Sequence, residues 1–436
     1  MQSKSYSMLD QFVDELPVIS SHEHHLPDNL QKDMSLDKLL YHAYLSWYTD
    51  SGNSPKPYPD YRKKYHLPQD YPGKDTHLGR EIFLDQFGSN TYWVWLEKGI
   101  QAIYRLEGKI SAENWDEISH KISDCYKDPV HHLRVLSETG RYLRAIQDSY
   151  WNYASDLGHP ELFSPTLRTD MFIMSSHESI LDADQNSPFT VYPDAPGNNF
   201  DDYLAFVRAL FEDWRNGGAV AMKCAVAYER LIQFNNASKK RAGEIFGKPV
   251  GQISAQDRLA YGDFMFNWFC ALAKQLDLPF QIHTGLGDLS GSNPMLLVPA
   301  IERHPGTRFV LFHAGFPWQA EMAGIAHNYR NVIVDMVWVP LISTSAAITG
   351  LNTFLDVTTS DAIGWGGDTW TSEEAVGAAL AWKHVVKTVF SERIDRGFLD
   401  LRQARNLAER LLFKNNAELY GFSPSGGNLT QATPLI

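Results

Sequence analysis

Two histidines near the start of the chain, His22 and His24, have the spacing of a pair of metal ligands. They lie in the segment Ile19-Ser-Ser-His-Glu-His-His25, which begins at the end of the apolar stretch 16–19. In a β-strand, residues i and i+2 point to the same side, so the two imidazoles would converge on one point. Convergent neutral imidazoles are a common beginning of a Zn²⁺, Mn²⁺ or Fe²⁺ site. Because a His-x-His pair arises readily by chance, this interpretation depends on further ligands elsewhere.

Four more apolar runs end on a polar side chain that can bind a metal, directly or after modification. These side chains belong to Lys223, His283, His313 and Asp368. Metal-dependent barrels place their ligands at such positions, because the strand fixes the backbone while the following loop leaves the metal open to substrate. Together with the histidine pair, the set predicts a metal centre built from five strand ends.

Each of these residues also has an ordinary structural interpretation. The two N-terminal histidines suit a polar loop, and Lys223 suits an interior lysine paired with a carboxylate. His283 and His313 suit core histidines at strand ends. Asp368 suits the N-cap of a helix after the last strand, which is a frequent role for Asp. The set as a whole favours the metal centre, because all five strand ends carry a suitable residue type.

The elements that must position these residues are short apolar runs rich in Val, Ile and Phe, bounded by turn residues. Such runs are typical of buried parallel strands. Eight strands are predicted: Pro17–Ser21, Tyr142–Asp148, Phe163–Arg168, Ala219–Ala225, Pro279–Thr284, Arg308–His313, Val332–Trp338 and Ala362–Gly367. Amphipathic helical stretches separate most of them, which indicates βα units and a parallel sheet. Eight units favour an α/β fold of the (β/α)8 TIM-barrel type over an open doubly wound sheet, since no Gly-rich phosphate loop follows an early strand.

The first two predicted strands are about 120 residues apart, far more than one helix needs. Residues 26–135 are therefore predicted to form a helical insertion after strand 1, able to cover the pocket as a lid. The insertion contains two aromatic-rich helical pieces, Leu36–Tyr48 and Thr91–Leu106, and a Pro/Tyr-rich loop, Ser54–Pro72. A second long loop, Glu229–Gln256, follows strand 4. The whole chain, 1–436, is otherwise predicted to be a single barrel domain.

Composition narrows the classes of partner. The chain has 436 residues, 44% apolar and 21% charged, and a net charge of −13, which argues against nucleic acid and anionic membranes as partners. Its three cysteines do not suggest a disulfide framework. We expect a cytoplasmic protein, since neither an apolar leader nor a run of 18 apolar residues occurs. Aromatic residues between positions 40 and 104 suit either a lid or the interface of a homo-oligomer.

Taken together, these segments resemble the amidohydrolase superfamily of metal-dependent barrels, in particular its amidohydrolase-2 branch. The resemblance extends from Pro17 to about Phe422. It is carried by seven segments: Ser20–His24, Met222-Lys223, Gln281–Gly285, Leu311–Pro317, Asn331–Asp335, Gly364–Asp368 and Asn415–Tyr420. One departure is visible. The family usually has Asp two residues before the first ligand histidine, and this chain has Ser20, so the orientation of His22 is expected to come from another residue.

The resemblance implies a divalent metal centre with one or two ions per chain, zinc being the first choice and manganese or iron the alternatives. In the two-ion form, the ions are bridged by a carboxylated Lys223 and bound by five further residues: His22, His24, His283, His313 and Asp368. The modification has a chemical reason, since a lysine ammonium has no lone pair for a metal whereas its carbamate is a bidentate anion. In the one-ion form, Lys223 has no metal role and His313 is left free as an acid or base.

The resemblance also implies an enzyme, a hydrolase in which metal-activated water attacks an amide, lactone or ester. Asp368 and His313 are the predicted catalytic residues. Two alternatives remain open at this point. One is a decarboxylase with a single metal and His313 as acid/base. The other is a sugar-acid isomerase resembling uronate isomerase, of which the aromatic segment 92–105 is reminiscent.

The predicted substrate is a small carboxylated or cyclic molecule. Four residues near strand ends are candidates for binding it: Arg168, Tyr228, Arg230 and Trp338. A guanidinium group suits a carboxylate, because it offers two parallel N–H donors. The alternatives are a salt bridge for each arginine and barrel packing for the aromatic residues.

Overall fold

A computed structural model describes residues 3–47 and 76–423 of the chain. All eight predicted strands are present in these ranges and form one sheet in the order β1 to β8, and neighbouring strands from β3 to β8 pair in parallel. The strands are β1 Val18–Glu23, β2 Tyr142–Gln147, β3 Phe163–Arg168, β4 Ala221–Cys224, β5 Phe280–Ile282, β6 Phe309–Leu311, β7 Val332–Asp335 and β8 Ile363–Gly364. With helices following most strands, the fold is the expected (β/α)8 TIM barrel.

The helices mostly separate consecutive strands, as βα units require. In chain order the α-helices of the described residues are α1 Lys4–Glu15, α2 Leu36–His42, α3 His77–Phe87, α4 Thr91–Tyr104, α5 Trp115–Cys125, α6 His131–Arg134, α7 Asp170–Met174, α8 Pro188–Val191, α9 Phe200–Asn216, α10 Lys239–Ile245, α11 Ala255–Gln275, α12 Val298–Arg303, α13 Gln319–Asn328, α14 Val339–Ile342, α15 Thr344–Val357, α16 Ser372–Asp395, α17 Leu401–Glu409 and α18 Asn415–Tyr420. Only β2 and β3, among the strands described, follow one another without an α-helix. None of the helices in the described ranges has the length and hydropathy to span a bilayer.

The predicted insertion contains helices α2 to α6. Its residues 48–75, which include the Ser54–Pro72 loop, lie outside the described residues. Helices α2 to α5 share a buried apolar core in which the rings of Trp93 and Trp115 stack 6.3 Å apart. The prediction of a loop over Glu229–Gln256 is wrong in part, because α10 and the 3-10 turn Val250–Gln252 lie within it.

The chain divides into two compact units. The first comprises Met1–Ala145, Trp338–Leu351 and Trp365–Lys414, and the second comprises Ile146–Val337, Asn352–Gly364 and Asn415–Ile436.

In the first unit, the long helix α16 packs against α4. Gly99 of α4 and Gly377 of α16 let the two backbones approach closely. A Cβ on Gly99 would lie 2.4 Å from the Glu373 carbonyl oxygen, and one on Gly377 would lie 2.4 Å from that of Trp95. Any larger residue at either position would force the helices apart.

The buried carboxylate of Glu373, in the first turn of α16, also ties the insertion to this helix. Its two oxygens accept hydrogen bonds from the Tyr104 hydroxyl at 2.6 Å and the Tyr126 hydroxyl at 2.9 Å. An acidic residue suits this position because the N-terminus of a helix carries a partial positive charge. The insertion is therefore anchored to α16 by polar contacts as well as by packing.

In the second unit, strand register aligns several strand ends. Arg168 at the end of β3 pairs with Lys223 of β4, and Lys223 pairs with Gln281 of β5. The strands β3 to β8 are fully buried, as expected for a parallel sheet covered by helices.

Candidate metal centre

His22, His24 and Asp368 of the first unit come together as the sequence predicts. The two Nε2 atoms are 3.3 Å apart, and Asp368 Oδ1 lies 3.2 Å from His24 Nε2 and 3.9 Å from His22 Nε2. The imidazole rings meet edge to face, with an interplanar angle of 85°. His22 and Asp368 are buried and His24 is partly exposed. Three donor atoms thus converge, with one side accessible.

The loop after β8 is held against β1 by backbone hydrogen bonds. Asp368 N–H donates to the His22 carbonyl at 2.9 Å, and His24 N–H donates to the Thr369 carbonyl at 2.9 Å. Asp368 adopts a left-handed conformation with φ of 60°, which is uncommon for a residue other than glycine. The N-cap of α16 is Thr371, so the interpretation of Asp368 as a helix cap is wrong.

Trp370 is part of this site, although it is not among the candidate site residues of the sequence analysis. Its indole stacks on the His24 imidazole with centroids 4.9 Å apart and planes 20° apart. It also packs against the apolar core of the insertion helices. The stacking restricts the orientation of His24. An aromatic residue two positions after Asp368 was the available sequence signal.

Glu23 is the second residue that sequence reasoning missed. It lies between the two histidines, is completely buried, and accepts hydrogen bonds from Ser20 Oγ at 2.7 Å, Thr369 N–H at 2.8 Å and Thr369 Oγ1 at 2.6 Å. Burial raises the pKa of the Glu23 carboxyl to about 7, against the hydrogen bonds from Thr369 and Ser20, which lower it. The sequence feature that could have identified Glu23 is its position between His22 and His24.

His283 and His313 of the second unit also come together. His313 Nε2 lies 3.0 Å from His283 Nδ1, and the ring centroids are 4.3 Å apart. Both side chains are buried. His313 begins three consecutive left-handed residues, followed by Ala314 and Gly315, which turn the chain sharply at the end of β6. His313 Nδ1 lies 3.2 Å from the Val337 carbonyl oxygen, a contact that fixes the ring.

Lys223 is buried in the second unit, within β4 near its carboxyl end. Its Nζ lies 3.6 Å from the ring centroid of Phe312, the residue before His313. An ammonium over an aromatic face is a favourable arrangement. The carboxylation of Lys223 stays a prediction.

The donor types fit a divalent metal. Two imidazoles and one carboxylate, with donor atoms within 4 Å of one another, are ligands that zinc, manganese and iron all accept. The buried pair His283 and His313 supplies two further nitrogen donors of the same kind. Each group lies at the carboxyl ends of its strands, where barrel enzymes carry their active-site residues.

The aromatic candidates for substrate binding have close aromatic neighbours. In the second unit the Tyr228 ring lies 4.5 Å from that of His283. In the first unit the Trp338 ring lies 4.5 Å from Tyr44 and 6.1 Å from Tyr92, and Trp338 is 2% exposed. The structure therefore brings Tyr228 to a predicted metal ligand and places Trp338 in a buried aromatic cluster.

The two arginine candidates are buried and paired with carboxylates of the chain. Arg168 contacts three of them: Asp148 at 2.8 Å, Asp170 at 3.0 Å and Asp184 at 3.1 Å. Arg230 Nη2 lies 2.5 Å from Asp263 Oδ1. These contacts match the salt-bridge alternative, and substrate binding by either arginine stays a prediction.

Comparison with known proteins identifies the family of the chain. The amidohydrolase family model matches residues 200–422, more than half of the 436-residue chain. Protein fluG of Emericella nidulans is 32% identical over 156 residues, which are 34% of this chain and 18% of that protein. The match thus spans about a fifth of the length of this curated relative.

Solved structures share the fold at low sequence identity. Uronate isomerase of Thermotoga maritima has a TM-score of 0.74 at 16% identity, with 96% of this chain and 98% of that chain covered. Glucuronate isomerase of Caulobacter crescentus has a TM-score of 0.71 at 16% identity, covering 96% and 95%. A Lactobacillus casei protein called a metal-dependent hydrolase has a TM-score of 0.66 at 17% identity, covering 94% and 97%. At these identities the likeness concerns the fold alone.

Proposed function

Because the chain belongs to the amidohydrolase family, we propose that it is a metal-dependent hydrolase acting on a C–N or C–O bond of a small carboxylated substrate. The observation that carries the proposal is the convergence of His22, His24 and Asp368. Two imidazoles and a carboxylate provide the charge and geometry for one divalent cation. The open side of His24 leaves room for water and substrate.

The residues of the first group have distinct tasks. His22 and His24 would hold the ion, which would supply the Lewis acidity that lowers the pKa of water to about 7 and polarises a carbonyl. Asp368 would also be a ligand of the ion, and its carboxylate would accept a proton from the attacking water and return it to the leaving group. Burial of Asp368 keeps competing bulk water away from this transfer.

The second group, His283 and His313, has a role that depends on metal number. In the two-ion form both imidazoles would hold the second ion, with Lys223 carboxylated. In the one-ion form His313 would be free to donate or accept a proton. The second form suits a decarboxylase, which needs a free acid/base group.

A sugar-acid isomerase is the second candidate. Two neighbours with TM-scores above 0.7 are called uronate or glucuronate isomerase, and each match covers 96% of the chain. An isomerase would move a proton between adjacent carbons of an open-chain sugar acid and would also need a free acid/base group such as His313.

The first experiment is elemental analysis of the protein expressed with Zn²⁺ or Mn²⁺ and bicarbonate. Two metals per chain are expected for the hydrolase with a carboxylated Lys223, and amides and lactones are then screened. One metal per chain favours the decarboxylase and the isomerase, which a uronate assay for ketose formation separates. A correctly folded chain that retains no metal would refute the proposed function.

Asp368→Asn tests the proton-transfer role. The amide keeps one oxygen for the metal but cannot accept the proton, so we expect most of the metal to remain while kcat falls by about 10²–10⁴-fold. Metal content and kcat are measured on the same preparation. The control is Asp361→Asn, an exposed aspartate just before β8. Unchanged kcat in Asp368→Asn would remove Asp368 from the mechanism.

A further inference from the structure

Glu23 connects β1 to the loop that carries Asp368. Ser20 Oγ donates to its Oε1, and the Gly367 N–H lies 3.2 Å from the same oxygen. Its Oε2 accepts from the Thr369 N–H and hydroxyl. The residues on both sides of Asp368 are thus hydrogen-bonded to one carboxylate.

Ser20 completes this arrangement from the other side. Its hydroxyl oxygen accepts a hydrogen bond from the Gly367 N–H at 3.0 Å while its proton goes to Glu23. Ser20 stands where the family resemblance leads one to expect an aspartate. In this chain the carboxyl group lies three residues later, at Glu23, and the Ser20 hydroxyl connects it to the loop by donating to Glu23 and accepting from Gly367.

The approach of the loop to Glu23 is as close as the backbone permits. A Cβ on Gly367 would lie 2.4 Å from Glu23 Oε1. The left-handed conformation of Asp368 lies between the two hydrogen-bonded neighbours. A residue keeps such an uncommon backbone conformation when several surrounding contacts hold it there.

We propose that Glu23 is a positioning residue that sets the geometry of Asp368 as a metal ligand. The inference rests on the metal role of Asp368 in the proposed function. The oxygens of Glu23 are engaged by Ser20, Gly367 and Thr369, so its contact with the site is through the loop that carries Asp368. Partners that orient metal ligands change metal affinity by about 10–100-fold when removed.

The variant Glu23→Gln is the direct test. It keeps the length and shape of the side chain, but each carboxylate oxygen faces a backbone N–H, that of Gly367 or that of Thr369. An amide nitrogen in either place would oppose a donor with a donor. We expect the Kd for Zn²⁺, measured by competition with a chelator, to rise about 10–100-fold. We also expect the visible absorption of the Co²⁺-loaded protein to change, because it reports the coordination geometry.

Two further variants complete the design. Thr369→Val removes only the hydroxyl donor to Glu23 and keeps the side-chain shape, so it should weaken Zn²⁺ binding less than Glu23→Gln does. If Glu23→Gln does not fold, the Kd of Thr369→Val for Zn²⁺ provides the test. Glu302→Gln is the matched control: it is exposed, and the Tyr329 hydroxyl that donates to it can equally donate to an amide oxygen.

The outcomes separate the two proposals. A wild-type protein that binds no metal overturns the proposed function together with this inference. A wild type that binds metal, with unchanged Kd and Co²⁺ spectrum in every folded variant of Glu23 and Thr369, overturns the role of Glu23 alone. A lowered melting temperature with unchanged metal binding also counts against it, since a purely structural residue would behave in that way.

Discussion

Arg168 illustrates, at the scale of a residue, how a buried charge at a strand end acquires its role from its partners. The guanidinium is 7% exposed and contacts Asp148 and Asp170, which are themselves buried. Nearby carboxylates favour the charged guanidinium and raise its pKa well above the ordinary value, although burial opposes this. Removing one partner of such a network leaves buried charges uncompensated.

We therefore expect Arg168→Met to lower the free energy of unfolding by about 3–5 kcal/mol, measured by urea denaturation. The control Arg241→Met removes a half-exposed arginine that pairs with Asp257 and Glu244, and should change stability little. A variant of Arg168 with unchanged stability and a raised KM for an acidic substrate would instead support substrate binding.

Residue types and spacing were sufficient to predict His22, His24 and Asp368 as neighbours, because strand ends of one sheet share an edge. They could not predict the partners of Arg168. Asp148 and Asp184 lie 20 residues before and 16 residues after it in the chain, and only the folded loops bring them to its guanidinium. Glu23 was missed for a related reason, since its partners Gly367 and Thr369 are more than 340 positions away.

At the scale of elements, the contact between α4 and α16 depends on two glycines. The helix backbones meet where Gly99 and Gly377 face the opposite chain, at distances that leave no space for a methyl group. This contact attaches the insertion to the helix that follows β8. Disturbing it should therefore affect stability in a way that helix propensity alone does not predict.

We expect Gly99→Val to lower the free energy of unfolding by about 1–3 kcal/mol through steric overlap with the Glu373 carbonyl. The matched control is Gly324→Ala in α13, where an added Cβ meets nothing within 4 Å and better helix propensity should stabilise the protein by up to about 1 kcal/mol. Thermal unfolding of both variants provides the measurement. Equal effects of the same sign would contradict the role of the contact.

The strands were predicted more fully than the loops. Short runs of β-branched residues bounded by turns identify buried strands, and all eight were found. Helix α10 was missed within a predicted loop, because its sequence Lys239–Ile245 is mostly charged and shows little amphipathic pattern. Its apolar contacts, Ala242 and Ile245, are too few to reveal a helical period.

At the scale of the whole molecule, several buried or partly buried carboxyl groups couple the free energy of unfolding to pH. Burial raises the pKa of four of them to between about 7 and about 8: Glu23, Asp182, Glu229 and Glu374. A carboxyl group whose pKa is higher in the folded state takes up a proton on folding. The free energy of unfolding should therefore fall as pH rises from about 5 to about 8, by up to about 1.4 kcal/mol per pH unit for each group.

Glu374→Gln tests this coupling. Burial raises the pKa of Glu374 to about 8, from an ordinary value of 4.5, and the carboxylates of Glu23 and Glu373 add to the effect. The amide cannot titrate, so the variant should gain stability relative to the wild type as pH rises through this window, measured by urea unfolding at several pH values. Glu302→Gln, on the surface, is the control. Parallel pH profiles for Glu374→Gln and the wild type would contradict the expectation.

Lys383 affects the free energy of unfolding in a separate pH range. Burial lowers its pKa to about 8 from 10.5, while its ammonium donates to the carbonyls of Asp14 and Leu16. Folding therefore releases a proton between about pH 8 and pH 10.5, and this group alone makes the protein more stable as pH rises there. The four carboxyl groups thus change the free energy of unfolding below about pH 8, and Lys383 changes it above about pH 8.

The close approach of Gly367 to Glu23 has a consequence for how sequences of this kind vary. With only 2.4 Å between a Cβ at position 367 and the Glu23 carboxylate, a side chain can be added at 367 only if the Glu23 side chain moves or is shortened. Position 23 can change while glycine stays at 367, whereas a change at 367 disturbs the hydrogen bonds of Glu23. In a mutational library, substitutions at 367 should thus survive more often on backgrounds already altered at 23.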